Sequence, residues 1–200
     1  MPEIGIMGGT FDPIHIGHLI AAECALVSCG LDEVWFIPSA SPPLKNHAPG
    51  ASSELRYEMV CGAVVSNPRF RVNDIELRRS GVSYSIDTAT ELKKRHPNHA
   101  FRYIIGSDRI NDLQQWHRIE ALASLVSFIG LERPTDTPRL DGLPLYLKQR
   151  VELIPMPLIG ISSTDLRNRM AAGEAVRYQL SEQTYQFIRR HGLYGTARDD

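Results

Sequence analysis

The sequence has 200 residues, of which 42% are hydrophobic and 22% charged, and its formal net charge is −1 at pH 7. These values are typical of a globular protein of one domain, and they exclude a strongly basic surface for nucleic acid. No apolar run approaches the roughly 20 residues that cross a bilayer, and the first predicted strand leaves no room for a signal peptide. We therefore predict one cytoplasmic domain at residues 1–200, with residues 195–200 as a flexible tail and with neither nucleic acid nor membrane as a partner.

Segments typical of strands and of helices alternate along the chain. Strands are predicted at residues 4–7, 33–38, 70–77, 100–105, 124–131 and 151–156, and helices at 19–29, 54–65, 84–95, 162–172 and 181–191. The alternation predicts a Rossmann-like, doubly wound α/β fold with a mainly parallel sheet and helices on both faces. In such a fold, ligands bind beyond the carboxyl ends of the strands.

The three cysteines, Cys24, Cys29 and Cys61, all fall in helical patterns beside apolar residues. Their number is odd, and they form no Cys-x-x-Cys pair. We expect them to be small core residues of a protein in a reducing compartment.

Residues 8–18, directly after the first predicted strand, read Gly-Gly-Thr-Phe-Asp-Pro-Ile-His-Ile-Gly-His. The glycines let the backbone approach an anion, and the first N–H groups of the following helix lack intrahelical partners. If the helix begins near His15, the rings of His15 and His18 point to one face. The segment therefore predicts a polyphosphate site. A zinc site would need two further ligands, which no companion motif supplies.

Residues 161–167, Ile-Ser-Ser-Thr-Asp-Leu-Arg, open a late predicted helix after the last strand. Helix capping alone would explain the hydroxyl residues and Asp165. Alternatively, free amides, hydroxyls and the Arg167 guanidinium form a second anion site.

Together the two segments resemble the Thr/Ser-Phe-Asp-Pro…His-x-Gly-His and Ile-Ser-Ser/Thr-x-x-Arg motifs of the nucleotidylyltransferase superfamily. Segments 41–45, 76–88 and 106–116, together with the C-terminal residues 176–194, resemble bacterial nicotinate mononucleotide adenylyltransferases. Three residues depart from that pattern. Leu44 replaces a histidine, for which His47 is a candidate substitute. Ser85 replaces a threonine and keeps the hydroxyl, and Ser181 stands where a proline is common.

The resemblance implies transfer of AMP from ATP to nicotinate mononucleotide, giving nicotinate adenine dinucleotide and pyrophosphate in NAD biosynthesis. It implies direct in-line attack without a covalent enzyme intermediate. It also implies Mg²⁺ that is held by ATP phosphates and water, with no metal ligands from the protein. A homo-oligomer is left open.

The implied site residues fall into three groups. The catalytic candidates are His15, His18, Lys45, Ser163 and Arg167. The ATP-binding candidates are Gly8, Gly9, Thr10, Phe11, His15, His18, Gly106, Ser107, Asp108, Ile161, Ser162, Ser163 and Arg167. The mononucleotide-binding candidates are Thr10, Asp12, Lys45, Ser83, Tyr84, Ser85, Trp116, His117 and Arg133. Trp116 could instead be a core residue, and Lys45 and Arg133 could be solvated surface cations.

Two other functions compete with this interpretation. A phosphopantetheine adenylyltransferase would share the first and last motifs but lack the Ser-Tyr-x-x-Asp-Thr and Asp…Trp segments that this chain carries. A non-catalytic nucleotide sensor would keep the fold. The intact His15, His18, Ser163 and Arg167 favour an enzyme over a sensor.

Overall fold

The computed structural model describes residues 1–40, 49–79, 82–132 and 140–198, apart from the side chain of Asp108. Its sheet contains six strands, every neighbouring pair of which is parallel, in the order β3-β2-β1-β4-β5-β6. The strands are β1 (Glu3–Gly9), β2 (Glu33–Pro38), β3 (Phe70–Val72), β4 (Ala100–Gly106), β5 (Ser127–Glu132) and β6 (Val151–Pro155). This is the order of a doubly wound Rossmann sheet, so the predicted fold class is confirmed.

The described residues form eight α-helices between and after the strands. They are α1 (Ile16–Ser28), α2 (Ser53–Val64), α3 (Ser85–Arg95), α4 (Ser107–Asn111), α5 (Ile119–Leu125), α6 (Leu145–Lys148), α7 (Ser163–Ala171) and α8 (Glu182–His191). Four short 3₁₀ turns also occur, at Leu113–Gln115, Leu140–Gly142, Arg177–Gln179 and Leu193–Gly195. None of the described helices is both long and apolar enough to cross a membrane.

Two predicted strands were too long. Residues 70–77 were expected to be extended throughout, but β3 ends at Val72, where the Asn73 side chain accepts from the backbone N–H of Ile75 and closes a turn. The predicted strand at 124–131 begins only at Ser127, because its first residues belong to α5. The sequence from 119 to 131 is nearly continuous in apolar residues, so its period does not separate a helix from a strand.

The core has two halves, one on each face of the sheet. Phe36 points into the half that contains Met59 of α2, while its neighbour Trp35 points into the half that contains Leu92 of α3. Successive side chains of a strand point to opposite faces, and here both faces are apolar because both are covered by helices. The prediction of helices on both faces is thereby confirmed.

From β1 the sheet extends to one side through β2 and β3, and to the other side through β4, β5 and β6. The strand order therefore reverses between β1 and β4. In open α/β sheets the crevice at such a point, beyond the carboxyl ends of the strands, is where ligands bind. The two histidines and Trp116 follow β1 and β4, respectively, at this edge.

Candidate active site

A cleft of about 540 Å³ lies at the carboxyl ends of the strands. One wall comes from the end of β1 and the start of α1, a second from β4 and the turn after it, and a third from the start of α7. A groove of similar volume lies at the amino ends of the strands, but two of its cations are engaged: Lys93 donates to the carbonyl of His99, and Arg102 pairs with Glu152. Chemistry rather than size therefore favours the first cleft.

The two histidines of the first motif form a stacked pair in this cleft. Helix α1 begins at Ile16 with His15 as its N-cap, and the two ring centroids are 3.8 Å apart at an interplanar angle of 30°. The backbone N–H of His15 donates to Nδ1 of His18 at 3.2 Å. Because Nδ1 accepts, the proton of the neutral ring lies on Nε2. His18 therefore has an N–H donor on the opposite side of its ring, suited to a phosphate oxygen.

Gly17 is needed for this arrangement, a role that the sequence analysis did not assign. A Cβ at Gly17 would lie 3.0 Å from Nδ1 and 3.1 Å from Cε1 of His15. Real side chains rarely come this close, so the His15 ring would have to move. The glycine of His-x-Gly-His thus leaves room for the first histidine.

We expect Gly17→Ala to lower kcat about tenfold without lowering the melting temperature. Small displacements of a positioned group are costly in rate, whereas alanine is favoured over glycine in a helix by about 1 kcal/mol. Steady-state kinetics and thermal unfolding together measure both effects. Gly62→Ala in α2 is the matched control, because its Cβ would make only an ordinary contact of 3.5 Å with Gln183. Unchanged turnover in Gly17→Ala would contradict this role.

The second motif forms both a helix cap and a wall of the cleft. Ser162 is the N-cap of α7, and its side chain accepts from the N–H of Asp165 at 3.1 Å. Ser162, Ser163 and Thr164 also line the cleft. The Ser163 hydroxyl donates to the carbonyl of Pro13 at 2.9 Å. The start of α7 is thus tied to the loop that leads into α1, and both helix N-termini border one cavity.

Arg167 lies one turn into α7 and contacts the same loop. Its Nη1 donates to the backbone carbonyl of Asp12 at 2.7 Å and lies 3.6 Å from Asp12 Oδ2, and its Nη2 donates to Thr164 Oγ1 at 3.4 Å. The side chain is 28% exposed. It does not line the cleft itself but lies directly behind the hydroxyl residues that do.

The structure places Asp12 behind the histidine loop rather than in the cleft. Its carboxylate is 3% exposed and accepts from the backbone N–H groups of Gly50 (2.8 Å) and Ala51 (3.1 Å) and from the Tyr194 hydroxyl (2.7 Å). Asp12 therefore joins three distant parts of the chain.

The preceding residues Thr10 and Phe11 are also buried. The carbonyl of Thr10 accepts from Nη1 of Arg56 at 2.6 Å, and the ring of Phe11 packs edge-on to that of His18 with centroids 5.1 Å apart. Arg56 is 1% exposed, and burial lowers its pKa while the charge of Asp12 opposes the change. Phe11 thus contacts the His18 ring directly, and Arg56 holds the backbone of Thr10 next to it.

Trp116 lines the opposite part of the cleft, half-buried, with its ring edge-to-face with that of Tyr103 at a centroid distance of 6.4 Å. The Tyr103 hydroxyl donates to the carbonyl of Ser85 at 3.1 Å. The rings of Tyr84 and His117 lie 4.3 Å apart. The segment that begins α3 is therefore connected to the tryptophan.

A buried carboxylate fixes the start of α3. Glu76 is 7% exposed and accepts from the Thr88 hydroxyl at 2.7 Å. Burial raises the pKa of Glu76, and hydrogen bonds from Thr88 and Ser83 oppose that rise. Residues 83–88 are thereby held as one unit beside the cleft.

The structure brings part of the predicted site together. The predicted residues that line the cleft are Gly8, His15, His18, Gly106, Trp116, Ile161, Ser162 and Ser163. Those that lie behind or beside it are Gly9, Thr10, Phe11, Asp12, Ser83, Tyr84, Ser85, Ser107, His117 and Arg167. Lys45 and Arg133, the side chain of Asp108, and the departures at Leu44 and His47 lie outside the described residues.

One cation and several apolar residues of the cleft were not predicted from the sequence. Arg109 of α4 lines it, as do Leu131, Met156 and Ile159. Arg109 directly follows the Gly-Ser-Asp segment after a predicted strand, and this position could have indicated that it belongs to the site. Nothing in the sequence marked the apolar residues as part of the site, because they come from β5 and from the loop after β6 and carry no polar motif.

A parallel sheet of this order, with two helix N-termini and a histidine pair at its switch point, defines a nucleotide-binding α/β protein. The sequence model of the cytidylyltransferase-like family matches residues 6–169. A protein of Oceanobacillus iheyensis named "probable nicotinate-nucleotide adenylyltransferase" is 43% identical over 199 residues, covering 100% of both chains. A protein of Shouchella clausii with the same name is 43% identical over 195 residues, covering 98% of both.

Solved structures agree on the fold. The Plasmodium falciparum nicotinic acid mononucleotide adenylyltransferase complexed with NaAD aligns with a TM-score of 0.78 at 23% identity, covering 98% of this chain and 99% of that one. The same enzyme complexed with APC gives 0.78 at 22% identity. The chain belongs to the cytidylyltransferase-like family and, within it, to the nicotinate-nucleotide adenylyltransferases, which are enzymes.

Proposed function

We propose that this chain transfers AMP from ATP to nicotinate mononucleotide and releases pyrophosphate. The observation that carries the proposal is the convergence of the α1 and α7 N-termini on one cleft that contains the His15–His18 pair and Trp116. Oriented amides and imidazole N–H groups suit a triphosphate, and an indole face suits an electron-poor pyridine ring. The cytoplasmic location and the role in NAD biosynthesis belong to the same proposal.

The acceptor needs little activation. A phosphate monoester has a second pKa near 6, so near pH 7 it is mostly a dianion and needs no general base. Its oxygen attacks the α-phosphorus of ATP in line with the bond to pyrophosphate, and no group of the enzyme becomes covalently attached. Catalysis then rests on alignment and on stabilising the charge that develops on the phosphates.

The residues of the cleft take distinct parts in this scheme. His18 and His15 donate to the α- and β-phosphates, and Ser163 with the first amides of α7 holds the β- and γ-phosphates. Arg167 and Lys45 stabilise the leaving pyrophosphate, and residues 106–108 border the adenosine. Arg167 bonds to the carbonyl of Asp12 and to Thr164 Oγ1 and does not line the cleft, so in this scheme its guanidinium turns from these acceptors to reach the pyrophosphate.

The cleft would hold Mg²⁺ together with ATP, as the counter-ion of its triphosphate. The described lining of the cleft offers imidazole and hydroxyl groups but no carboxylate. Such a donor set fits an ion held chiefly by phosphate oxygens and water, which Mg²⁺ prefers in many phosphoryl-transfer sites. Bound there, it would neutralise charge on the triphosphate.

A pyrophosphate-release assay tests the proposal directly. Purified protein with MgATP is offered nicotinate mononucleotide, nicotinamide mononucleotide or phosphopantetheine side by side, and the dinucleotide product is identified by mass. Rapid release with nicotinate mononucleotide supports the proposal. Release with phosphopantetheine alone would assign the chain to the sister activity, and binding of ATP without release would indicate a nucleotide sensor.

We expect the acid to be preferred over the amide by about 10- to 100-fold in kcat/KM. A carboxylate would accept from backbone N–H groups near Ser85 and His117, beside Trp116, whereas the amide would leave a donor unpaired at about 1–3 kcal/mol. Trp116→Ala is the control: it should weaken both mononucleotides equally, because stacking serves the ring and not its substituent. Equal kcat/KM for acid and amide in the wild type would refute this assignment while leaving adenylyl transfer untouched.

A further inference from the structure

The C-terminal Tyr194 reaches back to the loop that precedes the two histidines. Its hydroxyl donates to Asp12 Oδ1 at 2.7 Å across a separation of 182 residues. Burial and the negative charge of Asp12 raise the pKa of Tyr194, so the hydroxyl stays protonated and acts as a donor throughout the neutral range. The bond therefore joins the turn after α8 to the loop that lies behind the histidine pair.

The backbone around Tyr194 is shaped to hold this side chain. Tyr194 has a φ of 56°, in the left-handed region that aromatic residues rarely adopt. A Cβ at Gly195 would lie 3.2 Å from Cα of Ala171 in α7, and a Cβ at Gly50 would lie 3.0 Å from Cε1 of Tyr194. The half-buried ring thus lies in a slot beside Gly50, on a turn that packs closely against α7, and such backbone conformations persist only where the surroundings fix them.

The backbone carbonyls of Asp12 and Pro13 also accept hydrogen bonds from two of the proposed phosphate-binding residues. Arg167 donates to the carbonyl of Asp12, and Ser163 donates to the carbonyl of Pro13. Two residues further on, His15 caps α1. A displacement of Asp12 would therefore move the histidine pair and the start of α7 relative to each other.

We propose that Tyr194 is a positioning residue for adenylyl transfer, which fixes the Asp12 carboxylate and so aligns the histidine loop with Ser163 and Arg167. The inference rests on the proposed function. Alignment of reacting groups is worth orders of magnitude in rate, and shifts of about 1 Å can cost on the order of 100-fold. Tyr194 itself touches no phosphate, so its loss should lower kcat more than it weakens binding of ATP.

The test removes only the hydroxyl, in Tyr194→Phe, which keeps the ring in its slot. We expect kcat to fall about tenfold, while the Kd of a non-hydrolysable ATP analogue changes less than about threefold. In a double-mutant cycle with Asp12→Ala, which removes the acceptor of the Tyr194 hydroxyl, the loss in the double variant should be clearly smaller than the sum of the two single losses. Fully additive losses would overturn the proposal.

Two controls separate positioning from stability. Ile188→Val loosens the buried face of α8 without touching Asp12, and Tyr178→Phe removes a hydroxyl from a side chain that is 93% exposed. Neither should lower kcat beyond twofold at 25 °C. If Ile188→Val lowers kcat as much as Tyr194→Phe does at an equal change in Tm, or if Tyr194→Phe turns over like the wild type, Tyr194 is not a positioning residue.

A readout without turnover separates this proposal from the proposed function. The ring proton resonances of His15 and His18, assigned by NMR, should shift in Tyr194→Phe and stay in place in Tyr178→Phe. Wild-type protein that makes no dinucleotide would refute the proposed function. The NMR shifts would still report whether Tyr194 fixes the position of the histidine loop. Unshifted histidine resonances would overturn the positioning role even in an active enzyme.

Discussion

His18→Ala is expected to lower kcat by about 10²–10³ while the protein remains folded. Nε2 of His18 carries the N–H that faces away from the cap of α1, and the proposed mechanism uses it on the α-phosphate, where charge develops. Removing one such preorganised donor typically costs this much in rate. Steady-state pyrophosphate release at saturating substrates, with thermal unfolding in parallel, measures both quantities.

His18→Asn separates the catalytic role from the structural one. The Asn Oδ1 atom can replace Nδ1 as the acceptor for the His15 N–H, but the side chain offers no donor at the position of Nε2. This variant should keep the melting temperature of the wild type and still lose activity to nearly the same extent as His18→Ala. Turnover near the wild-type level in either variant would remove His18 from the mechanism.

Removal of divalent cations should reduce activity to a negligible level. Without Mg²⁺ the anionic mononucleotide would approach an unshielded triphosphate, and the described cleft supplies imidazole, hydroxyl and guanidinium donors but no fixed metal site to replace the ion. Pyrophosphate release after extensive chelation, and again after Mg²⁺ is restored, measures the dependence. Full recovery on restoring Mg²⁺ is the control for damage by the chelator, and turnover that resists chelation would contradict the role given to the ion.

The order of strands and helices could be predicted from the sequence because it depends on local patterns. The apolar runs at β2 and β4 are short, rich in Ile, Phe and Val, and bounded by turn residues, so each is readily recognised as a strand. Helix α5 could not be separated from β5, because buried segments on both sides of Val126 are apolar. Local pattern thus predicts the architecture and fails where two buried elements adjoin.

Site residues could be predicted where the chemistry is local in the sequence. His15 and His18 are three residues apart at one helix start, so a shared face could be expected, although His15 itself is the extended N-cap residue. The burial of Asp12 could not be foreseen, because its donors at Gly50, Ala51 and Tyr194 are between 38 and 182 residues away. Such contacts form only once the sheet has brought distant loops together.

The central claim is that the mononucleotide phosphate attacks the α-phosphorus of ATP directly in this cleft. The stereochemical course at that phosphorus tests it, with a single diastereomer of ATP carrying sulfur on the α-phosphate as the substrate. One in-line displacement without a covalent intermediate predicts inversion of configuration in the dinucleotide product. Retention of configuration would require two displacements and an adenylylated enzyme, and would contradict the account.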